Sequence, residues 1–309
     1  MINLASRSVI WTCQLEPYRR LQFGAGSKIL DAFDLSFNFR GIGWSWSSGL
    51  KVPPETRDLS STSSFVLSTL HSILIHVFLL DFLLFIVQSF GYSPLDSTHA
   101  THGTSIFISS LPPIIRYLRS SFISTISLYV IYGCFHLVYC LLTVIAVLLF
   151  AQSPEQWPPL FFKPWSNTSL IQFWSRGWHQ LFRHIFICLG GVPAFFVFGR
   201  LGALMGIFLA SGLLHYFGLW GMGRGTEFFP VVGFFLMMGV GILLELAFKQ
   251  ATGRRVGGLS GWVWSGLWLL AWGNFLVDAW LRKGLLGSLF WPQESRPAVL
   301  LVKFFHSFS

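Results

Sequence analysis

Charged side chains are scarce in this sequence of 309 residues: they make up 11% of it, and only 12 residues are acidic. Soluble domains carry about 25% charged residues. The hydrophobic fraction is 53% and the mean hydropathy is +0.62. Together these values exclude an ordinary soluble domain and predict an all-α, polytopic membrane protein.

Paired cysteines, basic blocks and repeats are missing as well. The four cysteines show no CxxC spacing and three lie in apolar runs, so we expect free thiols and no metal site. The 21 lysines and arginines are spread over the loops between apolar runs, which argues against a nucleic-acid partner. His71, His76 and Asp81 are five residues apart and share no helix face, so they predict no ligand cluster.

Long apolar runs dominate what is present. About 20 apolar residues cross the hydrocarbon core of a bilayer. We predict six such spans, at 64–90, 121–150, 169–199, 200–221, 228–248 and 260–281. Residues 1–61 are polar and turn-rich and form a predicted membrane-proximal segment, followed by a transmembrane domain over 62–309.

Basic residues are distributed unevenly between the two sides of the membrane. With six spans, one side carries fourteen lysines and arginines and the other carries six. Because cytosolic loops are enriched in basic residues, this bias places both termini and the loop at 151–180 in the cytosol. We expect a multi-pass protein of the endoplasmic reticulum membrane.

The segment after residue 168 combines a helix start with a polar face. Ser169 and Gln172 have the spacing of a capping box, which predicts a helix that begins at Ser169 or Leu170. In that helix one face would carry Gln172, Arg176, His179 and Arg183. Two guanidiniums near a helix N-terminus suit a phosphate-bearing ligand. The alternative is an interfacial helix whose arginines contact lipid headgroups.

The apolar run that follows Arg200 contains an ionisable imidazole, that of His215. Such a residue faces a protein interior or a water-filled cavity and is often functional. It can also serve as a hydrogen-bonding contact between helices. Gly202, Gly206 and Ala210 repeat every four residues in the same run, which predicts close helix packing nearby.

These stretches together resemble a known family. Residues 162–183, Phe-Lys-Pro-Trp-Ser-Asn-Thr-Ser-Leu-Ile-Gln-Phe-Trp-Ser-Arg-Gly-Trp-His-Gln-Leu-Phe-Arg, resemble the signature of fungal wax-synthase-like acyltransferases, which are distant relatives of the membrane-bound O-acyltransferases. Arg40-Gly-Ile-Gly-Trp44 and Ser211-Gly-Leu-Leu-His215 are similar to two further family motifs, and Glu245 stands where a family glutamate is expected. The family has membrane helices before the first of these motifs, so the resemblance implies an N-terminally short bundle.

The resemblance implies transfer of an acyl group from acyl-CoA to an alcohol within the membrane. His215 would be the general base toward the hydroxyl, and His179 would orient or polarise the thioester. Arg176, Arg183 and Lys163 would hold the phosphates of the acyl-CoA, which is a co-substrate and not a bound cofactor. The resemblance is closer to the natural-product tailoring enzymes, so we expect acetyl-CoA and a terpenoid or meroterpenoid alcohol.

Two alternatives stay open from the sequence. The enzyme could be a long-chain-alcohol wax-ester synthase, because no residue measures the acyl chain. A noncatalytic membrane scaffold or a transporter would also contain apolar spans with scattered polar residues. A transporter should show inverted repeats or paired broken helices, and the sequence shows neither.

Overall fold

The computed structural model describes residues 2–14, 16–23, 27–47, 49–91, 105–223, 225–287 and 292–307. Over these ranges the chain is helical, and its one extended feature is an isolated bridge between Arg20 and Trp44. The predicted all-α class is therefore confirmed. The α-helices are α1 Ile2–Cys13, α2 Lys28–Phe37, α3 Thr62–Ser89, α4 Pro113–Leu149, α5 Leu170–Gln172, α6 Arg183–Phe186, α7 Val192–Trp220, α8 Phe228–Thr252, α9 Gly258–Arg282 and α10 Pro297–His306.

Four helical stretches in the described chain are long and apolar enough to cross a membrane: Thr62–Ser89, Pro113–Leu149, Arg183–Trp220 and Phe228–Thr252. The predicted count of six spans is not confirmed. The last predicted span is the helix α9, but it is not among these four. The predicted span at 169–199 is not one helix, because the chain leaves helical geometry at Trp178.

The stretch Arg183–Trp220 is folded back on itself. Gly199 has φ 63° and ψ −151°, a conformation that glycine adopts without steric cost. A methyl group on Gly190 would overlap the carbonyl oxygen of Gly206, so the two residues are in contact. In a straight helix these residues, 16 positions apart, would be separated by about 24 Å. Residues 183–198 and 200–220 therefore pack antiparallel, and the small residues Gly206 and Ala210 form the predicted close contact.

The N-terminal segment is anchored to this hairpin. The Arg7 guanidinium donates hydrogen bonds to the carbonyls of Leu35, Ser36 (2.9 Å) and Asn38 (2.9 Å) at the end of α2. The ring of Trp46 lies 4.7 Å from that of His184 on α6. Residues 1–61 thus contact the helices that carry the candidate site, while the division of the chain at residue 61 stays a prediction.

The C-terminal helix α10 is attached through a buried ion pair. The Nε of Arg296, just before α10, lies 2.8 Å from the carboxylate of Asp81 on α3, and both side chains are almost fully buried. The backbone N–H of Ala298 donates to the same carboxylate at 2.9 Å. Asp81 therefore has a structural role: its carboxylate holds the start of α10 against α3.

Candidate active site

The segment that carries the predicted site begins at a well-capped helix start. Ser169 accepts a hydrogen bond from the backbone N–H of Gln172 at 3.1 Å, which confirms the serine half of the predicted capping box. The Gln172 side chain accepts from Thr168 and not from Ser169. The buried carboxylate of Glu245 on α8 accepts from the backbone N–H groups of Leu170 (2.6 Å) and Ile171 (3.1 Å). Three of the N–H groups at this helix start are thereby satisfied.

The predicted continuous helix over this segment is wrong. After α5 the backbone forms a single π turn, Phe173–Gly177, and Trp178 is extended, with φ −85° and ψ 159°. A side chain on Gly177 would overlap Asn167, so the turn packs tightly against the preceding loop. The Gln180 side chain donates to the carbonyls of Trp174 (2.8 Å) and Trp178 (3.2 Å), which this break leaves outside regular helix.

The break changes where the predicted polar residues lie. Gln172, Arg176, His179 and Arg183 do not share one helix face, because the spacing of 3.6 residues per turn is interrupted between them. Arg176 is exposed and its guanidinium lies 5.5 Å from the ring of Phe162. His179 instead points into an aromatic cluster.

The His179 imidazole is enclosed by aromatic rings. Its centroid lies 4.8 Å from that of Phe135, 5.6 Å from Trp178, 5.9 Å from Phe161 and 6.1 Å from Phe182. Its Nδ1 atom is buried without a hydrogen-bond partner. Burial, together with the nearby His215 and Arg40, lowers the pKa of His179 to about 3. The ring is therefore neutral at physiological pH.

His215 lies on α7 and contributes the second imidazole. Its Nδ1 atom is 2.7 Å from the carbonyl oxygen of Ser211, one turn earlier. Because a carbonyl oxygen only accepts, Nδ1 of the neutral ring carries the proton and Nε2 holds a lone pair. The ring stacks on Phe235 at 4.3 Å and lies 6.4 Å from Trp280. No described residue donates a hydrogen bond to Nε2.

The three predicted phosphate-binding residues fall into two places. The backbone N–H of Phe162 donates to the carbonyl of Gly177 at 3.1 Å, which brings Lys163 next to Arg176, and both are exposed. Arg183 lies apart from them, against the N-terminal segment. A Cβ atom on Gly49 would be 3.3 Å from its Nη2 atom.

Arg40 is a residue whose position the sequence did not predict. It is buried, and its guanidinium donates to the carbonyls of Pro159 (2.9 Å) and Pro158 (2.7 Å) and to the Tyr139 hydroxyl. It therefore holds the loop before Lys163 against α4, and its charge acts on His179. The resemblance of Arg40-Gly-Ile-Gly-Trp44 to a family motif was the signal that could single it out.

The candidate site therefore contains the neutral imidazole of His179, the nearby imidazole of His215 with a lone pair on Nε2, and an exposed pair of cations, Lys163 and Arg176. Among the described residues no three His, Cys, Asp or Glu side chains are grouped so that they could hold a metal ion. This combination suits proton abstraction from a neutral nucleophile next to a bound anion.

Comparison with known proteins shows a family similarity in the part of the chain that carries the site. The model of the membrane bound O-acyl transferase family matches residues 157–237, which include all five predicted site residues. This part of the chain is similar to the membrane-bound O-acyltransferases. The resemblance that the motifs predicted is thus confirmed, and no solved structure matches the chain.

Several curated proteins are similar to this chain. An acetyltransferase from Calcarisporium arbuscula, aurG, is 26% identical over 91% of this chain and 68% of its own length. The acetyltransferase spyB of Aspergillus fumigatus is 29% identical over 45% of this chain, and the match covers only 28% of spyB. The long-chain-alcohol O-fatty-acyltransferase of Simmondsia chinensis is 30% identical over 32% of this chain and 30% of its own length. The relatives thus carry acyltransferase names, the enzyme class that the sequence predicted.

Proposed function

We propose that the chain is a membrane O-acyltransferase that moves an acetyl group from acetyl-CoA to a hydroxyl of a terpenoid or meroterpenoid alcohol. The observation that carries the proposal is the geometry of His215. Its Nδ1–H is committed to the Ser211 carbonyl, which leaves Nε2 as a base beside a second, neutral imidazole. The names of the acetyltransferases aurG and spyB support the choice of acyl group.

In the proposed reaction His215 Nε2 accepts the proton of the alcohol as its oxygen attacks the thioester carbonyl. The new C–O bond forms, the C–S bond breaks, and the proton passes to the departing thiolate, so the products are the ester and CoA. Neither a serine nor a cysteine nucleophile is required. The apolar surroundings keep water from competing with the alcohol.

His179 would stabilise the developing oxyanion. The tautomer proposed to act carries the proton on Nε2, since Nδ1 is buried without a hydrogen-bond partner. An Nε2–H group can donate to the thioester oxygen, and loss of one such donor costs about 100- to 1,000-fold in kcat.

Lys163 and Arg176 are proposed to contact the phosphates of the acyl-CoA from one side of the site. Both are exposed and close together, and arginine suits phosphate through its two parallel N–H groups. Arg183 would bind from the side of the N-terminal segment. We further propose that this face is cytosolic, in the endoplasmic reticulum membrane, since cytosolic acyl-CoA must reach it.

The decisive experiment measures ester formation by membranes that contain the chain, with radiolabelled acetyl-CoA and a panel of terpenoid and long-chain alcohols. We expect the parent to form labelled ester. At equal protein level, His215→Gln should form ester at least 100-fold more slowly. His71→Gln is the matched control, because His71 is exposed on α3. Equal activity of His215→Gln and the parent would contradict the proposed base. No ester from any form would favour a noncatalytic scaffold.

A long-chain-alcohol wax-ester synthase is the second candidate, favoured by the similarity to the Simmondsia chinensis enzyme. The same membranes supplied with radiolabelled palmitoyl-CoA and hexadecanol test it. A higher kcat/KM for this pair than for acetyl-CoA with a terpenoid alcohol would replace the first candidate.

A further inference from the structure

A second pair of histidines lies between α3 and α4, apart from His179 and His215. The ring centroids of His76 and His136 are 4.1 Å apart. Ser72 Oγ lies 3.0 Å from His136 Nε2 and links the two helices. His76 stands at the middle of the 28-residue helix α3, which at about 42 Å is long enough to cross the bilayer, so the pair lies deep in the membrane.

His76, His136 and Tyr132 each have a polar atom without a hydrogen-bond partner among the described residues. His76 Nδ1 is 2.8 Å from the carbonyl of Ser72, so in the neutral ring Nδ1 carries the proton and Nε2 holds a lone pair. No described residue hydrogen bonds to His76 Nε2, to His136 Nδ1 or to the hydroxyl of Tyr132, whose ring stacks on His136 at 5.8 Å. These three residues are only half-buried, so their polar atoms are not enclosed.

Unpaired polar atoms at this depth are costly, because hydrocarbon offers them no hydrogen bond. Polar residues within membrane helices commonly mark a ligand path. The interhelical bond between Ser72 and His136 explains how the helices are joined, but it does not use His76 Nε2. A ligand oxygen would satisfy this atom.

An aromatic wall connects the histidine pair to the candidate active site. Tyr132 lies 4.6 Å from Phe161, and Phe161 lies 5.9 Å from His179. Phe135, adjacent to His136 in the chain, lies 4.8 Å from His179. An elongated apolar molecule could therefore lie along these rings with one polar end at His76.

We propose that His76, His136 and Tyr132 bind an oxygen of the lipophilic alcohol acceptor within the membrane. The ligand class is an apolar molecule that carries a hydroxyl, which donates to His76 Nε2 while its hydrocarbon body lies on the aromatic wall. Naming this ligand the acceptor rests on the proposed acyltransferase function, whereas the site itself rests on the unpaired polar atoms.

The test is equilibrium binding of tritiated farnesol to the purified chain in lipid nanodiscs without acyl-CoA, corrected with empty nanodiscs. His76→Phe removes the acceptor atom, keeps an aromatic ring and leaves the bond between Ser72 and His136 in place. We expect roughly fivefold weaker binding, the loss of one hydrogen bond. His71→Phe, on the same helix but exposed, should bind like the parent.

The hydrocarbon farnesene provides the second comparison. In the parent, farnesene should displace bound farnesol less well than unlabelled farnesol does. In His76→Phe the two compounds should displace it equally well. Unchanged farnesol affinity in His76→Phe, displacement by farnesene as strong as by farnesol, or no saturable binding would each overturn the proposed site. Binding that depends on His76 without ester formation would refute the acyltransferase alone. Ester formation with an unchanged KM for the alcohol in His76→Phe would refute the site alone.

Discussion

The carboxylate of Glu245 lies 2.6 Å from the backbone nitrogen of Leu170, 75 positions earlier in the chain. The same side chain accepts from Ile171 and from the indole N–H of Trp264 on α9. One buried acidic residue thus joins α8 and α9 to the start of the segment that carries His179. A glutamate in an apolar span, which could be read as catalytic, is here a helix cap.

Removal of this cap should destabilise the segment. In Glu245→Ala the two backbone N–H groups and the indole lose their acceptor, at about 1–3 kcal/mol for each buried group left unpaired. We expect a clearly lower melting temperature in detergent micelles and a loss of acyl transfer. Glu245→Gln keeps one acceptor oxygen, so its melting temperature and its acyl-transfer activity should fall less than those of Glu245→Ala. If Glu245→Ala melts like the parent but is inactive, the carboxylate acts in the chemistry instead.

The hairpin formed by residues 183–198 and 200–220 gives a second prediction. Gly206→Ala places a methyl group against the carbonyl of Gly190, and such overpacking costs about 1–3 kcal/mol. Gly218→Ala on the same helix is the matched control, because a Cβ there meets nothing within 4 Å. The melting temperature should fall for Gly206→Ala and stay unchanged for Gly218→Ala. Equal melting temperatures would contradict the antiparallel packing.

His179 makes stability depend on pH. The unfolded chain binds a proton on this imidazole below about pH 6.5, whereas burial lowers the pKa in the folded protein to about 3. Between these values the unfolded state binds more protons, so stability falls as the pH falls, by about 1.4 kcal/mol per unit at most. We expect a smaller drop in melting temperature from pH 7 to 5 for His179→Phe than for the parent or His71→Phe. Parallel curves would show that His179 is not buried as a neutral ring.

Arg40 should be sensitive even to a conservative change. Its planar guanidinium donates to two carbonyls and one hydroxyl, an arrangement that a lysine ammonium does not reproduce. Arg40→Lys should lose about 2–3 kcal/mol of stability, whereas Tyr139→Phe, which removes one hydroxyl, should lose about 1 kcal/mol. Chemical denaturation measures both. A larger loss in Tyr139→Phe than in Arg40→Lys would contradict this role of Arg40.

Acyl transfer should also report on Arg40. The loop that it holds precedes Lys163, a proposed phosphate contact, so Arg40→Lys should raise the KM for acetyl-CoA more than it lowers kcat. An unchanged KM would show that the loop keeps its position without the guanidinium.

Much of this protein could be predicted from its sequence, because hydropathy and local caps depend on residues close in the chain. The apolar runs indicated the membrane class and the long helices, Ser169 marked the helix start, and the predicted border between two spans at residues 199 and 200 falls at the turn of the hairpin. The motifs around His179 and His215 indicated the similarity to the membrane-bound O-acyltransferases.

The arrangement of the site required the tertiary structure. Periodicity continued the helix through Trp178, but the chain forms a π turn that packs against Asn167, and Gln180 binds the carbonyls at the break that follows. This break places His179 among aromatic rings and separates Arg183 from Arg176. Glu245 and Arg40 act across 75 and 119 positions of the chain, and the pairing of His76 with His136 joins two helices. Such contacts depend on how distant segments pack, which no local pattern in the sequence encodes.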